Sequence, residues 1–290
     1  MDQDQLSHAG GVTTRTASRL VLSLFPGAGL LDRGFEQAGF CVVRGPDTLL
    51  GQRIETFHAP DGHFCGVIGG PPCQDFSRAR RAPPTGYGLA MLKEFGRVVT
   101  EAQPVWWLME NVPQVPSLAI HGYATQRFNL NATECGLSQS RLRCFQFGSR
   151  DGIALVVGRL VRSHFGKWAG TITTKHGHRN FADLCELQGL PRRFTIYGFS
   201  RSAKIRAVAN GVPVPMALAV AVAIRDRGVT DARLCVCNCG RPVTGRQISA
   251  TPACRKRIER SRRGVTPGTV SIGTPVAAPC PDATSHQSAG

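Results

Sequence analysis

The sequence is short of several features that would assign the chain to a membrane or to the secretory pathway. It contains no run of about eighteen apolar residues, so we expect nothing to span a membrane. The opening residues, MDQDQLSHAGGVTTRTASR, include no basic stretch followed by an apolar one, so we expect no secretion signal. Acidic residues are scarce as well: 19 Asp and Glu face 35 Lys and Arg, which gives a net charge of +16.

Half of that excess charge lies in one short segment. Residues 225–263 contain eleven basic and three acidic side chains, a net charge of +8. Such a surface suits a polyanion, and nucleic acid is the commonest one. A solvated basic tail that only improves solubility is the alternative. The charge therefore favours a nucleic-acid partner without deciding between these two roles.

The eleven cysteines are scattered, and their number is odd. That usage is typical of a reducing compartment, where most cysteines serve as small buried apolar residues. We therefore expect a cytoplasmic protein without a disulfide framework.

Short apolar runs alternate with segments of helical periodicity through the first half of the chain. Continuous apolar runs, each predicted to be a buried strand, occur at residues 19–25, 40–44, 64–70 and 105–110. Helical spacing marks residues 30–38 and 89–103, and a strongly apolar helix is expected over 212–227. Alternation of this kind predicts an α/β fold, a doubly wound sheet with helices on its faces.

Polar residues follow each predicted strand at its carboxyl end, which is where ligands bind in such sheets. The turn Pro26-Gly27-Ala28-Gly29 follows the first strand, Asp47 follows the second, and Glu110 ends a very apolar one. The G-x-G turn suits a nucleotide-like ligand, but Asp32 stands where dinucleotide sites have a third glycine, which disfavours NAD. Asp47 suits the hydroxyl groups of a ribose, and a simple turn role remains equally open.

Cys73 lies in the stretch Ile68–Ser77, IGGPPCQDFS, and two readings of it are open. Pro71 and Pro72 stiffen the approach and suit a presented nucleophile, and Arg78, Arg80 and Arg81 would favour its thiolate. The alternative is an ordinary turn cysteine. A carboxyl group at Glu110 is costly to bury unless it has a task, such as sharing a proton with a ring nitrogen. Arg141 and Arg143 suit contacts with a carbonyl or phosphate group, or else surface charge.

The order of these motifs resembles the DNA cytosine-5 methyltransferase family. The matching segments cover most of residues 20–224 and run LFPGAGLLDRGFEQAGF, GGPPCQDFS, MENVP, NATECGLSQSRLRCFQFG, GTITTKHGHRNFADLCELQGLPRRF and VANGVPVPMALAVA. The resemblance implies a Rossmann-like methyltransferase with a mixed sheet and a small recognition subdomain. It also implies double-stranded DNA as the partner, S-adenosylmethionine as the cofactor, and a monomer from a bacterium or phage, with a restriction enzyme as a possible companion.

The resemblance also implies roles for individual residues. Cys73 would add to C6 of a flipped cytosine, Glu110 would contact ring N3, and Arg143 with Arg141 would hold the base. Asn111 and Gln74 would order loops rather than perform chemistry. The residues implied to bind the cofactor are Phe25, Gly27, Gly29, Asp47, Pro71, Asn210 and Val212.

The cofactor motifs depart from the family pattern, whereas the catalytic motifs do not. Ser23 replaces a usual acid and Leu30 a usual glycine, and Ala209 replaces a glycine before Asn210. Thr48 replaces an aromatic residue, and Gln52 or Arg53 stands where the adenine-reading acid is expected. Two alternatives follow: a weak or inactive homologue that binds DNA without methylating it, and a methyltransferase acting on RNA.

The sequence predicts a catalytic core flanked by smaller segments. The predicted segments are a disordered N-terminus (1–18), the catalytic and cofactor-binding core (19–148), a short recognition subdomain (149–204), a helix completing the core (205–228), a basic cysteine-rich module (229–263) and a disordered tail (264–290). Residues 149–169 alone are too few for an independent recognition domain, so the basic module is the candidate to assist recognition.

The basic module offers four sulfur atoms. Cys235, Cys237 and Cys239 are spaced C-x-C-x-C, and Cys254 follows fifteen residues later. Zinc prefers four tetrahedral ligands, usually in C-x2-C pairs, so this spacing leaves structural zinc and unliganded cysteines both open.

Overall fold

The computed structural model describes residues 19–160, 179–227, 235–237, 243, 247–249, 251–262 and 269–272. The terminal segment 1–18, most of 264–290 and Cys239 lie outside the described residues, so the predictions made for them stay predictions.

A six-stranded mixed sheet forms the centre of the chain. Its strands are β1 (Leu20–Leu24), β2 (Cys41–Arg44), β3 (Gly66–Gly69), β4 (Trp106–Asn111), β6 (Ala124–Asn131) and β7 (Leu142–Ser149). Their order is β2-β1-β3-β4-β7-β6, and only the β4–β7 and β7–β6 pairs are antiparallel. The predicted doubly wound α/β fold is confirmed, with two antiparallel strands completing one side.

The helices cover both faces of this sheet. They are α1 (Leu30–Gln37), α2 (Tyr87–Ala102), α3 (Phe181–Leu187), α4 (Arg201–Asn210), α5 (Val214–Arg225) and α6 (Pro252–Arg262). One apolar core packs against α1 and α5, and the other against α2. Trp106 faces the first core and Trp107 the second, because successive strand residues point to opposite faces.

Two glycines make room for these large indoles on neighbouring strands. A Cβ atom at Gly66 would lie 2.2 Å from the ring of Trp106, and one at Gly148 would lie 2.2 Å from the ring of Trp107. The strands on either side of β4 therefore need glycine opposite each tryptophan.

Helices α1 and α5 pack closely through small residues. A Cβ atom at Gly34 would lie 2.4 Å from the Cβ of Ala217. This contact joins the helix that follows the G-x-G turn to the helix that follows Asn210. The packing of α1 on α5 thus holds the two segments of the predicted cofactor site next to each other.

Length and composition alone would allow the segment Arg201–Arg225 to cross a membrane, and 61% of its apolar window is buried. The segment is divided at Gly211–Pro213 into α4 and α5, and the apolar residues of α5 pack into the sheet core. Burial in the core accounts for its hydrophobicity. The expectation that nothing spans a membrane stays a prediction.

A second, two-stranded sheet was not predicted from the sequence. Strand β5 (Ser117–Ile120) pairs in parallel with β8 (Thr269–Ile272). Strand β8 falls within the tail predicted to be disordered, so that prediction is wrong for these four residues. The predicted boundary at residue 205 falls inside α4, which begins at Arg201.

Candidate active site

The loop that carries Cys73 leaves the carboxyl end of β3 and is fixed from the neighbouring strand. Asn111, at the end of β4, donates its Nδ2 hydrogen to the carbonyl of Pro71 over 2.9 Å and accepts from the amide of Val112 over 2.8 Å. The Asn111 side chain is buried. Cys73 follows with φ −100° and ψ 0°, in a sparsely populated backbone region that occurs often at active sites. The loop is therefore held rigidly just before Cys73.

Asp75 folds the chain beyond Cys73. Its carboxylate accepts hydrogen bonds from the amides of Thr85 (3.0 Å) and Gly88 (2.9 Å), which hold its pKa below the usual value. These bonds bring the segment after Cys73 back to the start of α2. The sequence did not single out Asp75.

The side chain of Glu110 is buried beside Arg143. The Nε atom of Arg143 lies 3.0 Å from Oε1 of Glu110, an ion pair without hydrogen-bond geometry. Oε1 has no hydrogen-bond partner among the described residues. Burial raises the pKa of Glu110, and Arg143 and Arg141 oppose that rise. The carboxyl group can therefore hold a proton and keeps an oxygen available for a ligand.

Cys73 belongs to the same electrostatic group. Burial is the main cause that raises the pKa of its thiol, and Glu110 adds to the rise, whereas Arg143 and Arg141 lower it. The expectation that Arg78, Arg80 and Arg81 would favour the thiolate is wrong. These three side chains are exposed, and Arg80 instead donates to the carbonyl of Asp75. The structure thus brings together all four predicted catalytic residues, Cys73, Glu110, Arg141 and Arg143.

Arg141 nevertheless points to the backbone of another segment. Its Nη2 atom donates to the carbonyls of Ala209 (2.6 Å) and Gly211 (3.1 Å). The guanidinium group is buried, and this burial lowers its pKa to about 9, with Arg143 adding to the effect. Arg141 therefore supports the segment that contains Asn210.

Two buried glutamines complete this arrangement, which we call the 208–211 clamp: Arg141 and Gln188 donate to backbone carbonyls of this segment, and Gln139 holds Gln188. Gln188 donates to the carbonyls of Val208 (2.7 Å) and Gly211 (3.0 Å). Gln139 donates to the side chain of Gln188 over 3.1 Å. Sequence reasoning missed Gln188, although an amide side chain in the Glu-Leu-Gln-Gly segment before an apolar helix was a usable signal.

The G-x-G turn after β1 has the backbone of a close-approach site. Phe25, Gly27 and Gly29 have φ values of 55°, 55° and 72°. Nothing lies within 4 Å of a Cβ placed on Gly27, so the turn is open there. The carboxylate of Asp47 accepts from the amides of Gly27 and Leu49, each over 2.7 Å. Asp47 therefore lies against the G-x-G turn and also caps its own turn through Leu49.

The other predicted cofactor residues differ in their exposure. Pro71 and Val212 are buried, whereas Asn210 is exposed at the end of α4. Arg53, at the predicted adenine-reading position, is exposed and pairs with Glu55 over 3.0 Å. An open, glycine-containing turn with an adjacent carboxylate fits S-adenosylmethionine, whose ribose hydroxyls need an acceptor.

A buried polar group that the sequence did not reveal lies beneath the turn. Asp32, in the first turn of α1, is fully buried and accepts from Ser23 Oγ over 2.6 Å and from Arg44 Nε over 2.9 Å. Burial raises the pKa of Asp32, and both partners oppose that rise. The acid expected at position 23 is absent, but a carboxylate reaches Ser23 from the helix.

Three of the predicted metal ligands converge. The Sγ atoms of Cys235, Cys237 and Cys254 lie within 4.8 Å of one another, and those of Cys235 and Cys237 are 3.4 Å apart. Cys235 and Cys254 are buried. The fourth predicted ligand, Cys239, lies outside the described residues.

Comparison with known proteins gives matches from one family. The sequence pattern of C-5 cytosine-specific DNA methylases matches residues 51–179. The type II methyltransferase M.HgiDI of Herpetosiphon aurantiacus is 30% identical over 192 residues, which are 54% of this chain and 60% of that protein. M.HgiGI of the same organism is 35% identical over 124 residues, 36% of this chain and 98% of that protein. M.AquIA of Picosynechococcus is 31% identical over 180 residues, 46% of this chain and 72% of that protein.

The chain spans about half the length of several further relatives, such as 46% of M.FnuDI of Fusobacterium nucleatum. Solved structures share the fold at low identity. A candidate DNA modification methyltransferase from an E. coli prophage matches with a TM-score of 0.53 at 16% identity, covering 71% of this chain and 98% of that one. Dnmt2 of S. pombe matches with a TM-score of 0.53 at 11% identity and the same coverage.

Proposed function

Because the chain belongs to the C-5 cytosine-specific DNA methylase family, we propose that it methylates C5 of cytosine in double-stranded DNA, with S-adenosylmethionine as the methyl donor. The observation that carries this proposal is the convergence of Cys73, Glu110 and Arg143 at one end of the sheet. A nucleophile, a buried carboxyl group and a cation are the groups that addition to a pyrimidine ring requires.

In this proposal Cys73 adds to C6 of a cytosine that has left the base stack, because C5 and C6 are not accessible within a duplex. Its thiol must first lose a proton, and the positive charges of Arg143 and Arg141 favour that loss. The protonated form of Glu110 donates to ring N3 and so stabilises the electrons displaced by the new sulfur–carbon bond. Once C5 carries the transferred methyl group, loss of the C5 proton would expel Cys73 and restore the aromatic ring.

The cofactor supplies the methyl group that C5 receives. The turn residues Phe25, Gly27 and Gly29 would approach it closely, and Asp47 would accept from its ribose hydroxyls. Pro71, Asn210 and Val212 would complete the pocket. Arg141 serves this pocket by holding the carbonyls of residues 209 and 211, so we assign it a positioning role rather than a catalytic one.

Methyl transfer tests the proposal. The purified chain is incubated with methyl-labelled S-adenosylmethionine and duplex DNA, and bisulfite sequencing of plasmid DNA from expressing cells identifies the target. Cys73→Ser should abolish transfer, whereas Cys41→Ser, at an exposed cysteine of β2, should retain it. If no methyl group is transferred at saturating cofactor while DNA binding is retained, the hypothesis of a homologue that binds DNA without methylating it would be favoured.

Two matched assays examine the substrate and the nucleophile. Activity on RNA but not on DNA of the same sequence would overturn the choice of substrate. DNA containing 5-fluorocytosine should trap a covalent adduct through Cys73, because fluorine cannot leave C5 as a proton does. An active enzyme without an adduct would contradict the nucleophilic role.

We also propose that Cys235, Cys237 and Cys254 bind structural zinc in the basic module, with Cys239 as the fourth ligand predicted from the sequence. The proposal rests on three converging sulfur atoms, two of them buried, in a segment rich in charge and poor in apolar residues. Metal clusters replace an apolar core in such small modules. The Arg257 Nη1 atom, 3.9 Å from Cys237 Sγ, would favour a thiolate.

Metal analysis of the purified chain tests this site. We expect one zinc ion per chain and, after cobalt exchange, the absorption of thiolate–cobalt charge transfer. Cys254→Ser should lose both signals and Cys41→Ser neither. A chain that retains no zinc after loading and desalting would contradict the proposal.

We propose finally that the protein is a monomer in a bacterial cytoplasm and that it contacts DNA partly through the basic module. The net charge of +16 supports the DNA partner, since Lys and Arg side chains neutralise phosphates.

A further inference from the structure

We propose that Arg44 binds the carboxylate of the cofactor's amino-acid portion, an inference that rests on the proposed function and identifies a binding residue for it. Arg44 ends β2, next to β1, and its side chain extends over the start of α1. No pattern in the sequence assigned a role to this residue.

The position of the guanidinium group is set by a buried acid. Asp32 is fully buried and engages Arg44 only through Nε, at 2.9 Å. Burying a carboxylate costs free energy, and the buried carboxylate of Asp32 holds the guanidinium group of Arg44 in a fixed orientation. Ser23 donates to the other oxygen atom of the same carboxylate over 2.6 Å.

The other end of the guanidinium group lies against the G-x-G turn. A Cβ atom on Gly29 would lie 2.5 Å from Nη2 of Arg44 and 3.0 Å from its Cζ. The side chain of Arg44 is 48% exposed, and neither of its Nη atoms has a hydrogen bond among the described residues. The two terminal nitrogen atoms are therefore available to an acceptor at the turn.

The chemistry of this corner favours a carboxylate. Gly29, the residue just before α1, provides no side-chain cap, so the first amides of the helix and the Nη atoms of Arg44 are donors at one place. A guanidinium fork matches a carboxylate through two parallel hydrogen bonds. The amino-acid carboxylate is the one anionic group of S-adenosylmethionine, so it is the part of the cofactor that this corner would select.

A matched pair of ligands tests the assignment without measuring activity. Calorimetry would compare S-adenosylhomocysteine with its decarboxylated analogue, S-adenosyl-3-thiopropylamine. We expect the unmodified chain to prefer the carboxylate ligand by about 10- to 100-fold in Kd, the effect of a charge-assisted hydrogen bond. The double variant Asp32→Asn/Arg44→Gln removes the cation without leaving a buried acid unpaired, and its preference should fall to about threefold or less.

Arg150→Gln removes an equal charge at an exposed position after β7, beside the start of β4 and away from the G-x-G turn, and serves as the control, with an unchanged preference expected. Equal weakening of both ligands in the double variant would show that Arg44 only supports the turn, and would overturn the inference. A retained preference would overturn it as well. An unmodified chain that binds neither ligand would refute cofactor use itself, whereas one that binds both equally would refute the role of Arg44 alone.

Discussion

Replacing Asn111 by alanine should separate the rigidity of the Cys73 loop from the chemistry of the site. The Asn111 side chain makes two hydrogen bonds, one to the Pro71 carbonyl (2.9 Å) and one from the Val112 amide (2.8 Å). Each backbone group left unpaired in a buried place costs about 1–3 kcal/mol. We therefore expect the free energy of unfolding to fall by about 2–4 kcal/mol.

The functional effect should be larger than the loss of stability suggests. Without the anchor at Pro71, Cys73 is free to shift, and a displacement on the order of 1 Å at a reacting group lowers a rate about 100-fold. Urea unfolding, followed by tryptophan fluorescence, gives the stability. The rate of adduct formation with 5-fluorocytosine DNA, measured where the variant is folded, gives the function.

Two further variants sharpen this test. Asn129→Ala removes an asparagine from β6 whose side chain has no hydrogen bond in the described part of the chain, so it should change neither quantity. Asn111→Asp keeps the acceptor for Val112 but loses the donor to Pro71, so its rate of adduct formation should be lowered as in Asn111→Ala. An Asn111→Ala protein with unchanged unfolding and a normal adduct rate would refute the reasoning.

Three other perturbations have defined outcomes. The rate at which iodoacetamide alkylates Cys73, followed by peptide mass spectrometry, should rise only at a pH above the usual thiol pKa, because burial and Glu110 raise the pKa of Cys73. Glu110→Gln removes the repelling charge and should move this pH–rate profile to lower pH. An unmoved profile would argue against the coupling of Glu110 to Cys73. Gly34→Ala should destabilise the chain by about 1–3 kcal/mol in urea unfolding, because the new Cβ would lie 2.4 Å from Ala217, whereas Gly158→Ala, which meets nothing within 4 Å, should not. Arg141→Lys keeps the charge but loses the two-carbonyl contact, so calorimetry should show S-adenosylhomocysteine binding weakened about tenfold; unchanged affinity would contradict a positioning role.

The sheet was predictable because its parallel strands read as continuous apolar runs and its helices have clear periodicity. The polar residues that follow those strands indicated where the site would lie, and Cys73 and Glu110 do lie together there. Strand β8 could not be predicted, since the four residues Thr269–Ile272 lie within a segment rich in small and polar residues. Its structure depends on pairing with β5, a contact that is distant in sequence.

The electrostatics of the site were harder to predict than its location. Sequence proximity suggested Arg78, Arg80 and Arg81 as the cations near Cys73, whereas the fold brings Arg143 and Arg141 to it from β7 and the turn before it. Ser23 looked like the loss of an acid, because the carboxylate that reaches it belongs to Asp32, nine residues later on a helix. Both relations depend on tertiary contacts that no local pattern encodes.

Under the proposed function, the 208–211 clamp would connect the cofactor site with the site of the target base. The carbonyl of Gly211 accepts from Gln188 and from Arg141, and Arg141 belongs to the same short segment as Arg143, which lies beside Glu110. A cofactor that contacts Asn210 would therefore stabilise the clamp, and with it the position of Arg143 beside Glu110. Thermodynamic linkage makes such an effect reciprocal, so the cofactor and the extruded cytosine should each increase the affinity for the other by the same factor. Binding of the cofactor and binding of the extruded cytosine would then be cooperative.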